Sequence, residues 1–85
     1  MPYIKQSERG WIDKHVEHWP GNLTSPGELN YAITKIVMEF LKPLDFNYTK
    51  IAFVTGVLEN VKQEFYRRVV IPYEQGKQQE NGDVY

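Results

Sequence analysis

Lys62, Tyr66, Arg67 and Arg68 lie within one amphipathic stretch, GVLENVKQEFYRRVVIPY, and their types carry the most recognition chemistry in the chain. A guanidinium fork grips carboxylate or phosphate at two points, and a tyrosine ring stacks on a base or fills a partner's pocket. With Tyr48, Tyr73 and Tyr85 they form the candidate binding set. Glu64 stands three residues before Arg67 and four before Arg68, so helix-surface ion pairs worth about a few tenths of a kcal/mol compete with that reading. His15 and His18 are three apart and could face one metal beside Asp13 or Glu17. His15 falls on the apolar side of its helix, however, so packed or interfacial histidines fit better and no metal site is expected. Ser7 and Ser25 suit helix caps rather than nucleophiles, and no two carboxylates are spaced to share acid and base roles. The expectation is a protein that is not an enzyme and needs no cofactor.

Composition narrows the setting in which those residues work. The 85 residues carry 10 Lys and Arg against 11 Asp and Glu, a net charge of -1, which lacks the basicity of a dedicated nucleic-acid binder. Hydrophobic residues make up 41% and aromatics 14%, a globular balance in which each ring can bury ~150–250 Å2. Zero cysteines exclude both disulfides and thiolate metal sites. No apolar run is long enough to span a membrane, and the opening MPYIKQSERG lacks a secretory core, so a cytoplasmic location is expected. For the same reason Asn22-Leu23-Thr24 and Asn47-Tyr48-Thr49 are not read as glycosylation sites.

Helix signals dominate the elements that must position these side chains. The spacing predicts a mainly α, compact three-helix domain over residues 1–85, with a polar C-terminal tail at 74–85. A first helix at about residues 7–19 opens on Ser7 and ends at Pro20-Gly21, although Gly10 weakens it by ~1 kcal/mol relative to Ala. The second, from Pro26 to about Leu41, begins with a capping box of Ser25, Pro26 and Glu28 and ends ahead of Pro43. The third runs from near Asn47 or Tyr48 to about Ile71, where Pro72 stops it. Trp11, Val16, Leu29, Ile33, Ile36, Phe40, Ile51, Leu58, Val61 and Phe65 are the expected core. Asn81-Gly82 suggests a tight turn, after which residues 83–85 could pair with residues 2–4 as short strands.

The second helix is apolar on more than one side. Tyr31, Thr34, Met38 and Leu41 lie opposite or flanking the stripe of Leu29, Ile33, Ile36 and Phe40. They form either a subunit interface or the face that the first helix covers. Because symmetric homodimers are the commonest oligomers, a homo-oligomer is expected.

The strings MPYIKQ, GELNYAITKI, GVLENVKQEFYRRVVIPYE and ENGDVY together resemble a family of small uncharacterised proteins of prokaryotes and their viruses. The resemblance spans nearly the whole chain and implies context rather than mechanism. Small viral helical proteins often occlude a host protein or sequester a signalling molecule, an analogy at the level of fold. Two functions follow. The first is a self-associating interaction module that meets a protein partner through the Tyr/Arg surface of the third helix. The second is a homo-oligomeric binder of a small phosphorylated ligand such as a nucleotide, enclosed by Lys62, Arg67, Arg68 and tyrosines.

Overall fold

The computed structural model describes residues 4–85, and among them the fold is mainly α, a three-helix architecture without strands. The chain forms two compact units, one ending at Lys42 and the other running Pro43–Tyr85. In the first unit a 3-10 turn, Gln6–Glu8, precedes α1 (Gly10–Val16), and a second 3-10 turn, Pro20–Asn22, leads to α2 (Pro26–Leu41). In the second unit α3 (Tyr48–Phe65) passes through a π-helical turn (Tyr66–Val70) into α4 (Ile71–Asn81), so one helical rod is labelled on either side of the turn.

Helix starts follow from their caps. Ser25 is extended and its Oγ accepts from the Glu28 N–H at 3.1 Å, while Pro26 fills the first helical position, where its missing donor costs nothing. Glu28 completes the box one residue earlier than the standard motif, accepting from the Thr24 N–H at 2.6 Å and the Thr24 hydroxyl at 3.1 Å. Those bonds, the backbone one foremost, hold the Glu28 carboxyl below its ordinary pKa. A depressed pKa means the contribution is present above the unfolded value and is lost as pH falls through and below the ordinary carboxylate range. Ser25→Ala should cost about 1 kcal/mol of stability, read as a lower melting temperature by circular dichroism. Asn47 repeats the device for α3, its Oδ1 accepting from the Lys50 N–H at 3.0 Å.

The first helix is shorter than the spacing predicts. Ser7 lies inside the 3-10 turn and does not cap α1, which starts at Gly10 with no side-chain cap. Arg9 ties this entry down, its guanidinium donating to the Ile4 carbonyl at 3.0 and 3.3 Å. The turn at Pro20–Asn22 then separates α1 from α2.

The C-terminal half differs more. Pro72 does not end the third helix, and residues 74–81 are helical rather than a polar tail. An α-helix would set the Pro72 ring against the carbonyl of Arg68 and leave that carbonyl without a donor. The π turn absorbs this: the Ile71 N–H reaches back five residues to the Tyr66 carbonyl, and Pro72 then occupies the first turn of α4, where no donor is needed. Asn81-Gly82 is a helix stop, not a hairpin. Gly82 sits at φ 84°, a conformation open to glycine, and its N–H bonds the Gln78 carbonyl at 2.8 Å. Residues 83–85 form no strand, and their expected partners Pro2 and Tyr3 lie outside the described residues.

The expected core is not buried. Among the described residues no side chain is buried, and Trp11, Val16, Leu29, Ile33, Ile36, Phe40, Ile51, Leu58, Val61 and Phe65 are all exposed. Periodicity tells which residues share a helix face; it does not tell what covers that face. The helical stripes are where the spacing predicts them, and each remains open to solvent.

Candidate functional site

Within the second unit, the residues of the expected Tyr/Arg site fall into separate places along the helical rod. Lys62, Gln63 and Tyr66 line a shallow depression of about 200 Å3. Tyr66 also borders a larger cleft of about 490 Å3 along α4, whose wall includes Ile71, Glu74, Gln78 and Tyr85. Tyr66 is therefore the residue common to both hollows. Tyr73 stands at 61% exposure with the Lys77 ammonium 5.7 Å from its ring centre, and Tyr85 is fully exposed beyond Gly82. Tyr48 opens α3 and lies eighteen residues, roughly 27 Å of helix, from Tyr66. One ligand of modest size does not reach both.

The arginines are tied to their own helix. Arg67 donates to Glu64 Oε2 at 2.9 Å, and the Arg68 Nε lies 3.8 Å from the same oxygen. The Arg67 hydrogen bond holds the Glu64 carboxyl below its ordinary value, with the Arg67 and Arg68 charges adding to it and desolvation opposing. Neither arginine lines either hollow. Both guanidinium groups stay more than half exposed, so they remain available to a carboxylate brought by a partner surface.

The first unit holds a feature that residue types did not reveal. Residues of α1 and α2 together line an apolar groove of about 930 Å3. Its walls are Trp11, His15 and Trp19 on one side and Tyr31, Ala32 and Ile36 on the other, with Glu28, Lys35 and Glu39 on the α2 side. His15 helps build it: Nδ1 donates to the Trp11 carbonyl at 2.7 Å, and the two rings meet edge to face at 6.0 Å. His18 pairs with Glu17 at 3.3 Å, so the two histidines do not converge. Among the described residues no three His, Cys, Asp or Glu side chains come together as a metal-binding group. The i, i+4 spacing of Trp11, His15 and Trp19 was the available signal for this wall.

On α2 the four expected interface residues divide. Tyr31 lines the groove, while Thr34, Met38 and Leu41 lie beyond it. Tyr31 and Met38 are 65% and 56% exposed, and Leu41 is half-buried. The Thr34 hydroxyl is satisfied inside the helix by the Asn30 carbonyl at 2.9 Å, leaving it no unmet polar demand on that face.

Residues 1–84 match the family model described as a domain of unknown function, DUF6899, and the chain is a member of that family. No curated protein matches the chain, and no solved structure does. No helix among the described residues is long and apolar enough to cross a membrane.

Proposed function

We propose that this protein is a non-enzymatic helical interaction module that self-associates and meets a protein partner through the Tyr/Arg face around the π turn. The observation that carries the reading is the absence of any buried apolar side chain among the described residues, in a chain whose helices carry regular apolar stripes. Ordering some eighty residues costs on the order of 100 kcal/mol of conformational entropy, which only buried apolar surface can offset. α1, at seven residues, is too short to persist alone in water. Surface of that kind is completed by association.

Arg67 and Arg68 support the contact role for the second face. Each is exposed and held by a surface carboxylate, an arrangement that contributes little stability and can be exchanged for a partner's carboxylate. A phosphorylated ligand is less well served, because Glu64 already places a negative charge between the two guanidinium groups and neither lines a hollow. Arg67→Ala with Arg68→Ala should leave helical content and melting nearly unchanged and weaken capture of the partner found by pull-down. A large loss of stability in the double variant would make the arginines structural and move the contact surface elsewhere. A nucleotide released from the purified protein, seen by native mass spectrometry, would favour the ligand-binding reading instead.

A further inference from the structure

We infer that the apolar groove of the first unit binds a small organic cation, an alkyl- or arylammonium compound held against the rings of Trp11, Trp19 and Tyr31. This site is separate from the Tyr/Arg face and does not depend on self-association. At about 930 Å3 the groove is within the size range of small-molecule sites, and its walls are mostly ring and hydrocarbon with a few charged groups among them. Both tryptophans of the chain and one tyrosine line this one hollow. The face of an aromatic ring is electron-rich and attracts positive charge, tryptophan most strongly.

The groove already holds a cation of its own. On α2, Lys35 stands one turn from Tyr31 and one turn from Glu39, and its ammonium rests over the tyrosine ring, 5.9 Å from the centre. Glu39 pairs with Lys42 instead, at 3.8 Å. A lysine with a carboxylate four residues on has an ion pair within reach, so its place over the ring marks where positive charge is stabilised. The other charges agree. Glu28, Lys35 and Glu39 line the groove from α2, two carboxylates to one ammonium, so an anionic ligand is repelled where a cationic one is attracted. The Thr24 N–H and hydroxyl both donate to Glu28 Oε1 and hold that carboxylate in place. Trp11 is braced by the edge of the His15 ring, so part of the ordering that a ligand would impose on it is already made.

Because Trp11 and Trp19 both line the groove, the intrinsic fluorescence of the full chain reads its occupancy. Benzyltrimethylammonium should change that emission saturably with a Kd on the order of 0.1–1 mM, with benzyl alcohol roughly five- to tenfold weaker and phenylmethanesulfonate weaker still. Lys35→Met keeps the apolar stem and removes the resident ammonium, so it should tighten benzyltrimethylammonium about threefold and leave benzyl alcohol unchanged. Tyr31→Leu should bring the affinities for the cation and the alcohol to within about twofold of each other, with helix content unchanged by circular dichroism. If Tyr31→Leu fails to fold, the three probes and Lys35→Met still decide, since both leave the aromatic walls intact. A response that stays linear in probe, as collisional quenching of free tryptophan does, overturns the site. Equal affinity for cation and alcohol, or tighter binding of the sulfonate, overturns the cation assignment. Weaker cation binding by Lys35→Met overturns the reading of Lys35 as the resident occupant and, with it, the argument for a cation.

Discussion

Leu58→Ala and Phe40→Ala are each expected to cost ~2–5 kcal/mol of stability and to lower the melting temperature by roughly 10 °C or more. The magnitude discriminates between two states of the molecule. Leu58 is 42% and Phe40 52% exposed within one chain. If that exposure persisted in solution, truncation of Leu58 would remove only about half of the ~1.5–3 kcal/mol that full burial of such a side chain contributes. A loss in the larger range means that these stripes are covered, and a concentration-dependent stability assigns the cover to a second copy. The same logic makes stability depend on concentration, because a copy that binds only the folded chain raises the melting temperature by mass action. Differential scanning at two concentrations a hundredfold apart checks it. Small losses in both variants together with a melting temperature independent of concentration would mean that the stripes stay open, and the proposed assembly would fail.

What the sequence made legible was local. Ser25, Pro26 and Glu28 announced the start of α2, and Asn47 the start of α3, because an N-cap is decided within four residues of chain. Pro43 correctly marked the end of α2. The core was not legible in the same way. Leu29 through Phe40 and Ile51 through Phe65 do form stripes, yet what covers a stripe depends on surfaces distant in sequence or belonging to another copy. The candidate site was half legible. Glu64, Arg67 and Arg68 pair as their spacing suggested, whereas placing Tyr48 in one binding set with Tyr66 overlooked their axial distance. The groove of Trp11, Trp19 and Tyr31 needed the turn at Pro20–Asn22 to bring residues of α1 and α2 to one hollow, and no residue type signals that turn's direction.

Pro72 is the residue where a sound local rule gave the wrong outcome, and Pro72→Ala is expected to raise stability by about 1–2 kcal/mol. Proline in a helix interior is about 3 kcal/mol worse than alanine, from the lost donor and the clash with the carbonyl four residues earlier. Two terms reduce the gain. The π turn at Tyr66–Val70 already relieves the clash by placing Pro72 in the first turn of α4, and alanine loosens the unfolded chain by ~0.4–1 kcal/mol. With a donor restored at position 72, the Arg68 carbonyl regains its α-helical partner and the π turn loses its cause, so residues 66–70 should revert to α-helix. That reversion takes one residue out of the π turn's long loop and rotates α4 about its axis relative to α3. Lys77 and the cleft it borders with Tyr66 would then move away from the Lys62 side, and Tyr73 would turn with them. Partner capture should fall although the protein melts higher, a pairing of effects that a purely structural proline would not give. Exchange-protected amides at residues 66–72, followed by hydrogen exchange, report the change directly. If the variant melts lower than wild type, the π turn is held by contacts other than Pro72, and its origin must be sought in the packing of Val69 and Val70.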